Sequence, residues 1–342
     1  MPDHTTPSTQ VPDRRPSLRD VAEAAGVSVM TASRALNGHA RVSETTRARI
    51  VEEALRLGYR PSYSARSLRA SESRMIGFLA PNVMLPVHVE IIQGARDVAA
   101  SEGYRLFLQV DIPDEQLSNP FLSDGDLVIG ETTDAKLLRQ YQDPMRTVGL
   151  MSRTTIEGID ICGSDLIKAT LQAFQHLLEA GYRRIGLIQH IGNTPRFGRE
   201  EALAAAGIDD DPSLVQVVAN DKASVVRGLH ALMALPERPD AIAVVHVAGT
   251  PHALRELQLH RYTIGRDIGF VGTEVSRSDW GDLVSPRMTA IRIPGYRIGA
   301  AGAERLIARL RGDRTPAQRY EFPAELVIRE STPGPWHPVM DD

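Results

Sequence analysis

Residues 17–37 read "SLRDVAEAAGVSVMTASRALN", two short helical patterns joined by a single glycine. Ser17 is a predicted N-cap, and Asp20 three residues on supplies an acidic form of the capping box. Leu18, Val21, Ala22 and Ala25 recur at helical spacing, and Gly26 ends the first helix. Ser28 caps a second helix running to about Leu36, where Asn37 and Gly38 stop it. Further on, Ser43 caps a third with Ile50, Val51, Ala54 and Leu57 as its predicted buried stripe, and Gly58 stops that one. Three short helices within 42 residues, the first two joined by a tight Gly-containing turn, predict a helix-turn-helix.

In that motif the second helix lies in the DNA major groove with its N-terminal residues at the base edges. Those residues here are Ser28, Val29, Met30 and Thr31, with Arg34 one turn on. Arg34 can make two hydrogen bonds to guanine, a contact worth ~1–3 kcal/mol of discrimination. Val29 and Met30 can pack on a thymine methyl, since Val27 and Ala32 already supply the inward face. The following "YRPSYSARSLRAS", residues 59–71, has Pro61 as an interruption and Ser62 as a cap for one or two turns. A helix so short needs something to order it. Arg60, Arg66 and Arg69 make it basic, and Leu68 is apolar at its end, the arrangement with which minor-groove proteins open a base step. A plain basic linker is the other reading of this segment.

The chain has 342 residues, whereas one domain usually takes ~100–200, so at least two are expected. A single cysteine, Cys162, excludes an intrachain disulfide and any multi-cysteine metal site, and is read as a buried small residue. No apolar run approaches the ~18 residues of a membrane helix. The opening "MPDHTTPSTQVPDRRP" is read as a disordered tail without the apolar core of a secretory signal, so a cytoplasmic protein is expected. The net charge of −4 divides unevenly: residues 1–70 carry 11 Arg against 7 acidic residues, and the remainder 28 basic against 36 acidic. A basic head on an acidic body suits a head that meets a polyanion.

From residue 74 the periodicity changes. Strand-like runs such as "MIGFLA", "DLVIG", "RRIGLIQ", "AIAVVHV" and "IGFVG" alternate with helical stripes such as "VEIIQGARDVAASEG" and "LIKATLQAFQHLLEAG". Near-continuous apolar strands between helices predict parallel sheets covered on both faces. About 270 residues of this pattern predict two doubly wound subdomains facing a cleft, with ligands beyond the carboxyl ends of the strands.

Residues 17–69 resemble, nearly without gaps, the DNA-binding head of the LacI/GalR family of bacterial repressors. The body is similar to that family's periplasmic-binding-protein-like core through "IGFLAPN", "LLEAGYRRIGLI", "REEALAAAGI", "PRMTAIRIP" and "ELVIREST". The resemblance implies an all-α helix-turn-helix head (17–61), a hinge helix (62–70) and an α/β effector-binding and dimerisation domain of two doubly wound subdomains (71–342), after the tail at 1–16. It implies a homodimer on near-palindromic double-stranded operator DNA. By it Val29, Met30 and Arg34 contact bases, and Leu68 enters the central minor groove. Ser28, Thr31, Ser33, Asn37, Ser43 and Thr46 fall where the family touches phosphates. Short matches, among them Met30 itself, "DICGSD" and "IGAAGAERLIARLRGD", are similar to the family's gluconate-operon repressors. The tail after "ELVIREST" is too short and proline-rich for the leucine heptads of tetrameric relatives, so a dimer is expected.

For the effector, the residues singled out are Asn82, His88, Glu131, Arg196, His246 and Glu274. His88 and His246 stand at predicted strand mouths, and "GNTPRFG" brings Arg196 to a helix N-terminus that could meet an anion. Gly272-Thr273-Glu274 replaces the family's Gly-Phe-Asp or Gly-Tyr-Asp, His246-Val247 its Asn-Asp, and Pro195 a common arginine. These departures put a neutral hexose held in the family's usual way in doubt and favour a different or anionic effector such as a sugar acid. Neither histidine has a metal-ligand partner at recognisable spacing, so no metal and no cofactor are expected. There is no nucleophile-elbow pattern, and no enzyme is expected, although a carboxylate pair such as Glu131 and Asp165 leaves a carbohydrate enzyme as a third reading. A sugar-binding protein without DNA function is the second: it fits the body but not the basic head.

Overall fold

The computed structural model describes residues 16–36, 42–59, 73–80, 83–110, 123–130, 143, 145–152, 155–190 and 196–334. The chain divides into two compact units, residues 1–73 and 74–342. The tail at 1–15, the segment at 60–72, and the site candidates Asn37, Leu68, Asn82 and Glu131 lie outside the described residues.

The first unit holds α1 (Leu18–Ala24), α2 (Val29–Leu36) and α3 (Glu44–Arg56). The capping box forms as the sequence predicts: the Asp20 amide donates to Ser17 Oγ, and Ser17 N donates to Asp20 Oδ2 at 2.6 Å. Ser28 and Ser43 open the next two helices by accepting from the amides of Thr31 and Thr46. Gly26 turns the chain between α1 and α2 at φ +60°, a conformation that costs glycine little. Val21, Ala22, Ala25, Ala32, Ala35, Ile50 and Ala54 are the core, with Leu18, Val27, Leu36 and Leu57 packed against it. Val51, expected in this stripe, is 39% exposed. It directly follows Ile50, and one residue along a helix is a rotation of about 100°.

The second unit contains two six-stranded sheets among the described residues. The first sheet takes β1 (Met75–Ala80), β2 (Arg105–Val110), β3 (Gly125–Ile129), β4 (Thr147–Leu150), β5 (Asp160–Ser164) and β11 (Arg319–Phe322) in the order β2-β1-β3-β4-β5-β11, all parallel. The second takes β6 (Ile185–His190), β7 (Val215–Val218), β8 (Ala241–Val245), β9 (Gly269–Val275), β10 (Thr289–Ile293) and β12 (Glu325–Val327) in the order β7-β6-β8-β9-β10-β12. Its last pair, β10 with β12, is antiparallel. The chain therefore passes between the sheets three times: after β5, after β10 and between β11 and β12. The sequence predicts the two doubly wound halves; it does not reveal this triple crossing.

Helices cover the sheets. Against the first sheet lie α4 (Pro86–Ser101) and α10 (Gly295–Leu310), and against the second α5 (Leu166–Glu179), α6 (Arg196–Ala205), α7 (Lys222–Met233) and α8 (Thr250–Leu259); α9 (Trp280–Leu283) is a single turn. The strands β1, β3, β8 and β9 are almost wholly buried, as strands covered on both faces must be. The helices α4 and α10 meet through glycines. A Cβ on Gly94 would collide with the Tyr296 carbonyl oxygen, and one on Gly299 with that of Ile91.

Buried charges tie the passages down. Asp160, wholly buried on β5, accepts from Arg305 Nε at 2.8 Å and Arg309 Nε at 2.7 Å on α10, and from the Gln318 amide before β11. Glu90 on α4 accepts from Ser276 Oγ at 2.8 Å and from the Arg277 amide beyond β9. A buried carboxylate satisfied on both oxygens is tolerable where an unpaired one is not.

Candidate nucleic-acid interface and ligand cavity

In α2 the hydrophobic residues split by face. Ala32 and Ala35 point into the head, while Val29 and Met30 are 45% and 63% exposed. Arg34 is exposed on the same outer side, and Thr31 and Ser33 are half-buried on its flanks. An exposed Val-Met pair at a helix start adds nothing to the head's own core, so it is available surface beside a guanidinium. Ser28 Oγ lies 2.9 Å from Thr31 Oγ1, and Ser43 Oγ 2.8 Å from Thr46 Oγ1. Both pairs sit at helix N-termini, where backbone amides and the helix dipole favour an anion.

The body encloses a cavity of about 370 Å³, within the range of small-molecule sites. It opens beyond the carboxyl ends of strands from both sheets, where doubly wound folds bind ligands. Its first-sheet wall includes Leu85 and Val87 at the start of α4, and Met151 and Ser152 just after β4. Its second-sheet wall includes His190 at the end of β6 and His246 just after β8. Register explains that pair. Gln189 is opposite Val245, so the next residue on each strand falls side by side, and the two rings lie 5.2 Å apart. His246 Nδ1 accepts from the Gly249 amide at 2.5 Å, which puts the proton of the neutral ring on Nε2.

The remaining polar wall comes from Thr155, Ser164, Asp165, Asn220, Thr273, Arg319 and Glu321. Several of these are already engaged. Asp165 caps α5 by accepting from Lys168 N at 3.0 Å, Ser164 donates to the Phe322 carbonyl, and Thr273 donates to that of Val244. Arg319 Nε donates to Glu321 Oε1 at 2.8 Å. Asp165 thus has a structural reason to be where it is, independent of any pairing with Glu131.

Of the effector residues singled out in the sequence, His246 lines this cavity and the other described ones do not. His88 is wholly buried within α4, one position past the cavity-lining Val87. Arg196 turns outward, its Nε 4.0 Å from Glu200 and its guanidinium over the Phe197 ring; its amide donates to Gln189 Oε1. Glu274 is wholly buried and taken up by Arg292 at 2.8 Å and Arg329 at 3.1 Å. Sequence reasoning missed His190, which strand register brings to the cavity, and Arg319 and Glu321, which reach it when the chain returns to the first sheet after β10. Cys162 is buried as expected: burial, with Asp160 nearby, pushes its thiol up to about 12.

A three-helix head with an exposed reading face, joined in sequence to a two-sheet body around a ligand-sized cavity, defines a ligand-responsive DNA-binding regulator. Residues 17–62 match the model for bacterial regulatory proteins of the lacI family, and residues 174–332 that for a periplasmic binding protein-like domain. The chain is 31% identical over 329 residues to the HTH-type transcriptional regulator PtxS of Pseudomonas aeruginosa, covering 93% of this chain and 96% of that one. The protein belongs to the lacI family of bacterial regulatory proteins. It is similar in structure to the transcriptional regulator CelR in complex with cellobiose, with TM-score 0.69 and 26% identity over 93% of this chain and all of that one. The lac repressor dimer bound to operator shares the fold, with TM-score 0.72 and 20% identity over 93% of this chain and 99% of that one. The relatives are transcription regulators, not enzymes. Among the described residues no helix is long and apolar enough to cross a membrane.

Proposed function

We propose that this protein is a cytoplasmic repressor that binds a near-palindromic operator as a homodimer and is gated by a small polyhydroxylated or anionic ligand, of the carbohydrate or sugar-acid class, held in the body cavity. The observation that carries the ligand reading is the histidine pair at the cavity wall. His190 and His246, with Asn220, give a mixed polar set around a volume suited to one small polar molecule, while Asp165 caps α5 and Glu321 pairs with Arg319. A relative solved with cellobiose and another with ribose support the carbohydrate class. The head reading rests on the exposed Val29, Met30 and Arg34 of α2.

The test is operator binding, measured by anisotropy on the protein's own upstream DNA, with a panel of aldoses, aldonic acids and phosphorylated sugars. One class should shift operator affinity by at least several-fold in the parent, and His246→Ala should lose the response while keeping the ligand-free affinity. A parent indifferent to the whole panel, or a His246→Ala variant that responds fully, rejects the cavity as the sensor.

A further inference from the structure

We infer that His230, Glu256 and His260 form a surface site for a divalent transition-metal cation of the zinc class. His230 lies in the last turn of α7, Glu256 in α8, and His260 caps the C-terminus of α8. Glu256 and His260 are four residues apart, so both project from one face of that helix, and the neighbouring α7 brings His230 against them. His230 Nε2 is 2.8 Å from Glu256 Oε1, and His260 Nε2 is 3.3 Å from the same oxygen. One ligand atom from each residue lies within 4.8 Å of the others.

These separations suit a metal. Zinc binds imidazole nitrogen at ~2.0–2.1 Å and carboxylate oxygen at ~2.0–2.2 Å, so the edges of a tetrahedral site are roughly 3.3–3.5 Å. Small side-chain rotations bring all three atoms to such a site. Both imidazoles aim Nε2 at a single carboxylate oxygen, with the two rings edge to face and 5.2 Å apart. His230 and His260 are about half exposed, which leaves an entry path and room for water as the fourth ligand. Two nitrogens and one carboxylate oxygen favour zinc, cobalt, nickel or copper over the oxygen-seeking magnesium and calcium. Bound metal would staple α7 to α8, and Asn220 and Ala248 on the cavity wall lie just before these helices begin.

The experiment is equilibrium dialysis of the full chain against zinc chloride, with cobalt chloride as a spectroscopic probe. The parent is expected to hold one saturable zinc per chain at this site, and cobalt to give visible absorption bands of a low-coordinate site. His230→Ala with His260→Ala should abolish the bands and weaken zinc binding at least tenfold, with unchanged circular dichroism. No saturable zinc in the parent, or equal binding and equal cobalt spectra in the double variant, overturns the site.

Discussion

Val29 and Met30 cannot hydrogen-bond a base through their side chains, whereas Arg34 can do so twice. Arg34→Ala should therefore cost about 1–3 kcal/mol of operator binding and flatten selectivity at one base pair per half-site. Met30→Ala should cost less and broaden the neighbouring positions, and Thr31→Ala should weaken all sequences alike, since backbone contacts carry no base information. Competitive selection on randomised half-sites at fixed salt separates the three outcomes. Glu274 belongs to a different class of residue. Its carboxylate pairs with Arg292 and with Arg329, which is only 6% exposed. Glu274→Ala leaves a buried guanidinium short of a partner and should lower stability by about 3–5 kcal/mol in urea unfolding. A loss of ligand response in that variant without a loss of stability would contradict the pairing role.

Among the elements, α4 and α10 approach so closely that glycine is required at the crossing. A Gly→Ala change on an exposed helix face usually stabilises by about 0.5–1 kcal/mol. At Gly299 the added carbon meets the Ile91 carbonyl, a backbone atom that cannot turn aside. Gly299→Ala should instead destabilise by about 1–3 kcal/mol, the usual cost of overpacking. The sign of the shift in thermal midpoint decides between tight crossing and loose contact.

The whole body responds to acid through carboxylates at its turns. Asp267, before β9, and Asp313, before β11, are each held down to about 2, Asp267 mainly by Arg266 and the Thr263 amide, and Asp313 mainly by Thr315 and then Arg305. A folded value below the unfolded one near ~3.8–3.9 means that the unfolded chain binds more protons in this range. Their contribution is complete above about pH 4 and is lost as the pH falls towards 2. Stability followed by denaturant titration should decline through that window, and Asp313→Asn should make the decline shallower. An unchanged slope in the variant would show that Asp313 carries no linkage.

Much of this molecule is local and was therefore legible in the chain. The caps Ser17, Ser28 and Ser43 act on amides three residues away, and the inward Ala32 and outward Met30 follow from helical period alone. Continuous apolar strands between helices point to mainly parallel sheets covered on both faces, whereas the antiparallel pairing of β12 comes only from the fold. What the sequence could not determine is which distant ends meet. His190 and His246 become neighbours through strand register, and Arg319 and Glu321 reach the cavity because the chain returns to the first sheet after β10. Glu274 has the chemistry of a ligand contact, but the tertiary structure buries it and sets Arg292 and Arg329 on its Oε1. Glu256 and His260 show a helical spacing in the sequence, but their third partner, His230, arrives from another helix. Local spacing fixes which side chains share a face, whereas only the packing of sheets and helices decides what each face meets.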